Sequence, residues 1–450
     1  MISRDRLVRD LFAAGLAPGQ RVVVHSSLRT IGMVADGADA VIDALELVLG
    51  PSGTLVMPTF TFSLPEWGNP PYDPATSPSK VGLVTDTFWR RPDVHRSGHP
   101  THSYAAWGAD AEEVTSSQRD AVGPGSPLGW LLHRGGVILQ IGTDQTTNTA
   151  LHLCEELAQV PYLDIGFQEG QSHVTAHRRS PSGGIERVRV DPVPGSSEGF
   201  RRIDPVLGAA GIVREARLGQ AKMFVTSLAA LTGVVVPVLH RHGGLLLGTR
   251  TEDTICQWRR ARLHQDRAQQ RRDLVDLFVE GFPGGQRLSW TEREAIESDA
   301  ELLAGQAIAT LTPPTPEGLV KQLERRGISV EDRPEDGMVF SVWERSERRI
   351  CLWRGALARL AALLREIEVP CCAPLRGVGL ESLRALAMAH EGFHALTGET
   401  RSSLQARICE EVAARLFAER LLSLPAPPLL IDVALMHWME TRLPSLPAER

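Results

Sequence analysis

The stretch TTNTALHLCEEL, residues 146–157, sets a histidine and a carboxylate three residues apart behind a short apolar run. On a helix, His152 and Glu155 share a face. The carboxylate then accepts the imidazole N–H, fixes the tautomer and raises the basicity of the ring, so that the other nitrogen can take a proton. Asn148 and Thr149 fall at the helix start, where capping side chains and free backbone N–H groups favour negative charge. Spacing alone does not separate this arrangement from a surface His–Glu pair. A second histidine pattern, AMAHEGFHALTGE at 387–399, contains HEGFH, a match to HExxH. On one helix His390 and His394 stand a turn apart and can both ligate zinc, while Glu391 can activate a water molecule. A third ligand is expected from a following helix. CEEVAARLFAERLL offers Glu410 or Glu411 there, with Glu411 the expected ligand.

These side chains need elements to hold them. RVVVHSSL reads as a short strand ending in small polar residues, ADAVIDALELVLG as a helix closed by Gly50, and GTLVMPTFTF as another strand. SPLGWLLHRGG is a helix stopped by two glycines, and VILQIG is an apolar strand running into the Thr146 stretch. Strand and helix alternating in short units predict an α/β layered domain, whose polar groups gather at strand ends such as VHSS, MPTFT and IGTDQTTNT. From about Arg250 the texture changes to a highly charged helical stretch, CQWRRARLHQDRAQQRRDLVDLF, followed by EGFPGGQ, a composition expected of a boundary. Beyond it come a proline-marked helix with a turn into a strand, a hairpin formed by GMVFSVWE and RRICLW, and a helical region from Leu380 onward. The expected division is 1–260 and 280–450, since 450 residues exceed one comfortable core.

The first stretch resembles the signature of the aminoglycoside 3-N-acetyltransferase (antibiotic N-acetyltransferase) family, an Asn-Thr-x-Leu-His-x-x-Glu element. VVVHSSLRTIG, GTLVMPTFT, HRSGHPTHSYAAWG, GPGSPLGWLL and GGVILQIG follow that family's order and approximate spacing over about residues 1–255. The resemblance implies an α/β fold distinct from the common acetyl-CoA N-acetyltransferase fold, with acetyl-CoA as donor and a primary amine as acceptor, most naturally the 3-amino group of a cationic aminoglycoside. It makes His152 the catalytic base and Glu155 its support, and puts the Thr149 hydroxyl where a tetrahedral intermediate forms. The base strips the ammonium so that the amine attacks the thioester directly, without an acyl-enzyme; Cys154, one residue on, is read as core.

For the donor's phosphates and amide-rich arm, the expected binding residues are Ser26, Ser27, Arg96, Ser97, His99, Ser103, Gly125 and Ser126. GPGSP lacks the Gly-Lys-Ser/Thr ending of a nucleotide P-loop. Asp144, Glu156, Asp164 and Glu169 are the acids near the signature that would suit a polycation. The second stretch resembles small gluzincin-type metallopeptidase domains. That resemblance implies a smaller, mainly α, zincin-like C-terminal domain with Zn2+, a protein substrate, and an alternative function in which the first domain acts as a sensor.

Composition narrows the rest. A formal charge of −6 argues against a nucleic-acid partner. No apolar run approaches the length of a membrane span, and the N-terminal MISRDRLVRDLFAAGL lacks a signal-peptide core. Six cysteines without paired spacing read as reduced thiols. A cytoplasmic enzyme is the expectation.

Overall fold

The computed structural model describes residues 1–166, 173–180, 182–190, 196–250, 253–335, 337, 339–398, 402–422, 424 and 426–442. The chain forms two compact units, Met1–Gly248 and Thr249–Arg450.

In the first unit the strands are β1 (Arg21–Ser26), β2 (Thr54–Pro58), β3 (His95–Arg96), β4 (Tyr104–Gly108), β5 (Val137–Ile141), β6 (Val174–Arg179), β7 (Ile185–Val190), β8 (Val213–Leu218) and β9 (Ala221–Ser227). Seven of them form one sheet in the order β3-β4-β2-β1-β5-β9-β8, and β6 and β7 form a separate hairpin. The sheet is mixed. β1 runs parallel to both β2 and β5, while the outer strands pair antiparallel. Val22, Val23 and Val24 of β1 are fully buried, as expected for a central strand covered on both faces. The helix Gly37–Leu49 buries Val41, Ile42, Leu45, Val48 and Leu49 in the same core as Val22, Val24, Leu55 and Leu139.

From β1 the chain passes to β2 on one side and later returns to β5 on the other. The carboxyl ends of these three parallel strands therefore frame a switch point, where open α/β sheets bind ligands. The GTLVMPTFTF stretch leaves regular strand at Pro58. Its continuation still pairs loosely, with Thr59 N donating to Ser103 O at 2.8 Å and Thr61 N to Thr101 O at 3.0 Å.

The second unit is mainly helical around a three-stranded sheet of β10 (Ser329–Arg333), β11 (Ser341–Glu344) and β12 (Arg349–Trp353), in the order β10-β12-β11. β11 and β12 form the expected hairpin. The charged stretch after Arg250 is helical as expected, forming Thr254–Leu263 and Arg267–Gly281 of this unit, while the division falls at Gly248, ahead of that stretch and of EGFPGGQ. Arg260 and Asp273 are both buried and joined at 2.9 Å, with His264 Nε2 2.8 Å from the same carboxylate oxygen. These charges are paired internally, which lets such groups leave water. Among the described residues no helix is long and apolar enough to cross a membrane.

Candidate functional site

At the end of β5 the chain turns on Gly142, φ 63°, whose N–H donates to Lys222 O at 2.7 Å. A Cβ here would fall 1.6 Å from Thr30 Oγ1, so both backbone and space require glycine. Asp144 then caps the turn Gln145–Thr147, and Asn148 Oδ1 accepts from Ala150 N at 3.2 Å to open the helix Ala150–Ala158. Ala150, Leu151, Leu153 and Cys154 are fully buried and seat that helix in the protein. Burial pushes the Cys154 thiol up, with Glu155 adding to the effect, which suits the core role expected of it.

His152 Nδ1 lies 2.8 Å from Glu155 Oε2. Glu155 is buried, and its Oε1 lies 3.1 Å from the Tyr162 hydroxyl, itself 3.0 Å from Gly243 O. A carboxylate at Nδ1 assigns the ring proton there and leaves the Nε2 lone pair free. The ring borders a cavity of about 310 Å³ and meets Phe200 edge-on at 4.6 Å. His25 and Ser26 at the end of β1, Pro58 and Phe60 at the end of β2, and Thr143, Asn148 and Thr149 after β5 line the same space. Its volume sits at the small end of the usual range for ligand clefts.

The expected donor-binding residues scatter around this cavity, and only Ser26 among them borders it. Arg96, Ser97 and His99 instead line a separate concavity of about 410 Å³. The Arg96 guanidinium is spent on Thr59, Pro74 and Ser77, lies 4.3 Å over the Trp89 ring, and has its pKa lowered by burial. Ser97 Oγ accepts from Tyr104 N at 2.9 Å. The Ser103 hydroxyl donates to Thr59 O at 2.8 Å. Ser126 caps the helix Pro127–Leu132, and Gly125 N donates to Asp120 at 2.6 Å. Ser27 N donates to Ile141 O at 2.9 Å, tying β1 to β5.

Among the described residues no carboxylate borders the cavity. Asp144 is engaged by Thr146 and by the Arg201 guanidinium, and Glu169 lies outside the described residues.

Sequence reasoning missed His25, His102, Phe60, Phe62 and Phe200 as cavity residues. The first four lie inside stretches already singled out, but nothing in one sequence shows which side of a strand end faces a ligand. Burial pushes His25 down to about 4, and burial with Arg178 nearby pushes His99 down to about 4. His102 is held well below the ordinary histidine value by burial, then by His99 and His152.

In the second unit, HEGFH lies on the helix Leu380–Thr397. His390 Nε2 and His394 Nε2 are 3.3 Å apart. Glu411, from the helix Leu404–Leu421, places Oε2 3.5 Å from His390 Nε2 and Oε1 3.6 Å from His394 Nε2. Glu410 reaches the other side of His394, 3.6 Å from Nδ1. Arg415 steadies Glu411 at 2.9 Å and is itself held by Asp432 at 2.8 Å. Burial, then Arg415 and His394, keeps the His390 imidazole well below its ordinary pKa, hence neutral with a lone pair to offer. Glu391 accepts from Ser341 Oγ at 2.8 Å, and burial raises its pKa. A cavity of about 330 Å³ walled by Leu357, Leu360, Leu383, Leu386 and Ile431 opens beside His390 and Glu391. Gly392, the helix-interior glycine of HEGFH, lets Leu319 approach: a Cβ there would stand 3.1 Å from its Cδ1.

A family model described as aminoglycoside 3-N-acetyltransferase matches residues 23–240, within the first unit. Aminoglycoside N(3)-acetyltransferase IV of Salmonella sp is 42% identical over 163 residues, which are 35% of this chain and 60% of that protein. Aminoglycoside N(3)-acetyltransferase VII of Streptomyces paromomycinus is 33% identical over 249 residues, 49% of this chain and 85% of that protein. Among solved structures, the apoenzyme of aminoglycoside acetyltransferase AAC(3)-IVa is 32% identical, covers 55% of this chain and 92% of that one, and superposes with a TM-score of 0.49.

Proposed function

The chain belongs to the aminoglycoside 3-N-acetyltransferase family, and from that premise we propose that its first unit transfers the acetyl group of acetyl-CoA to the 3-amino group of an aminoglycoside, with His152 as general base. The observation that carries the reading is the imidazole whose Nδ1 is fixed by a buried carboxylate at 2.8 Å while the ring borders a cavity at the strand ends.

In this reaction His152 Nε2 takes a proton from the bound ammonium, and the freed amine attacks the thioester carbonyl carbon. The C–O π pair moves onto oxygen, and the tetrahedral species collapses by breaking the C–S bond. Of the two protons the nitrogen loses, one goes to the departing CoA thiolate and one to water. Glu155 stabilises the imidazolium formed on the way, and Tyr162 beside the carboxylate supports its position. Thr149, at the cavity wall where the helix begins, is within the group expected to meet the tetrahedral oxygen. Ser26 is the donor-side residue that borders this space, while Arg96, Ser97 and His99 line the separate concavity. The acceptor class rests on family membership, since the described wall is uncharged. The test is release of free CoA thiol from acetyl-CoA across a panel of aminoglycosides. Turnover that survives His152→Ala would remove the proposed base.

A second reading concerns the other unit and is favoured by one observation. Zinc bonds of about 2.0–2.2 Å in a tetrahedron set their donors roughly 3.3–3.6 Å apart. His390 Nε2 and His394 Nε2 are 3.3 Å apart, and Glu411 reaches each with a different oxygen, Oε2 3.5 Å from His390 and Oε1 3.6 Å from His394, so one donor atom from each of the three lies within 4.8 Å of the others. The donor set therefore suits zinc, with Glu411 as third ligand and Glu410 behind His394. When bound, zinc would supply Lewis acidity for peptide hydrolysis. Glu391, held by Ser341 beside the apolar cavity, would move the proton. Zinc retained through purification, with peptide cleavage lost in Glu391→Gln, supports a metallopeptidase; retention without cleavage leaves a structural metal.

A further inference from the structure

His102 borders the same cavity as His152 but is held in a different way. Its main chain is tied on both sides, with N donating to His99 Nδ1 at 3.1 Å and O accepting from Gln118 Nε2 at 2.8 Å. Its ring lies 4.3 Å from Phe60 and meets Phe62 edge-on at 5.2 Å, so the plane is set by packing. Nδ1 is sealed from solvent and has no partner among the described residues, while no group among them pairs with Nε2, which is not among the sealed atoms and so faces the cavity that His102 lines. An orphaned buried N–H is the rarer of the two possible defects, so the proton belongs on Nε2 and the bare lone pair on Nδ1. The result is a fixed, neutral N–H aimed into the space where His152 presents a lone pair. No carboxylate among the described residues borders that space to draw the ring into proton transfer.

We infer that His102 donates its Nε2–H to the thioester carbonyl oxygen as that oxygen takes up the π pair, making His102 a catalytic residue of the acetyl transfer. The inference rests on the acetyltransferase reading and assigns the oxyanion contact within it. A neutral imidazole suits the task because it donates without holding a proton acidic enough to lose to the departing thiolate. No bond to His102 forms or breaks; it releases the oxygen when the C–S bond breaks and the carbonyl reforms as an amide.

The experiment compares wild type, H102F and H102Q in the thiol-release assay, with the Kd for CoA and the melting temperature measured on each. H102F keeps a ring between Phe60 and Phe62 but removes the donor. Its kcat is expected to fall roughly 100- to 1,000-fold, with both KM values and the CoA Kd moving about threefold or less. H102Q restores an N–H and should recover part of kcat. A kcat within about threefold of wild type, or a loss confined to the aminoglycoside KM, overturns the inference and makes His102 a binding contact. If H102F does not fold, the 15N-histidine spectrum of wild type with acetonyl-CoA, whose ketone mimics the thioester carbonyl, decides. A downfield shift of the His102 Nε2 proton is expected, and an unmoved signal overturns the proposal. Absence of turnover in wild type would instead strike the acetyltransferase reading itself.

Discussion

Glu155 does its work through two oxygens. One holds His152 Nδ1 at 2.8 Å, and the other lies 3.1 Å from the Tyr162 hydroxyl. The protein alone therefore orients the ring proposed as the base. His152→Ala should lower kcat by about 100- to 10,000-fold, the usual contribution of a general base, with the CoA Kd unchanged by calorimetry. Glu155→Gln should lower kcat less, because the ring keeps a partner but loses the charge that stabilises the imidazolium. The other histidines predict behaviour with pH. The folded values of His25 and His99 are depressed from 6.5 to about 4, so between those limits the unfolded chain binds more protons than the folded one. Stability present above pH 6.5 should drain away as pH falls toward 4. Thermal melts between pH 7 and 4 should show this, and His99→Asn should flatten the decline.

Elements bring these residues together by ending at one place. β1, β2 and β5 run parallel, so their carboxyl ends share an edge, and each end contributes side chains to the cavity. Gly142 marks how tightly the β5 end is built. Gly142→Ala must accept both a positive φ, at a cost of about 1–3 kcal/mol, and collision with Thr30. Gly135→Ala faces a similar φ of 69° with open space around it. The first variant should therefore lower the melting temperature distinctly more than the second. Much of this was legible in one dimension: apolar runs stopped by glycine or small polar residues located β1, β2, β5 and the helix Gly37–Leu49. Strand pairing was not, because the register of β4 against β2 and of β9 against β5 depends on partners dozens of residues away.

At the scale of the whole chain, each proposed chemistry lies inside one compact unit. Zinc analysis of wild type should find about one ion per chain and far less in His394→Ala or Glu411→Gln. Chelation should leave thiol release untouched, since no residue of the metal set belongs to Met1–Gly248. What the sequence determined by itself was local chemistry. The i,i+3 pairing of His152 with Glu155 and the i,i+4 pairing of His390 with His394 are consequences of helix pitch, and short spacings survive any tertiary arrangement. What only the tertiary structure decided was everything that spans distance. It set Glu411 within reach of both histidines and Glu410 within reach of one, drew Arg260 and Asp273 into a core, spent Arg96 on backbone carbonyls and brought His102 to the wall opposite no acid. Those outcomes turn on which face of an element meets which neighbour. Burial and long-range packing settle that, and a single chain read in order does not carry it.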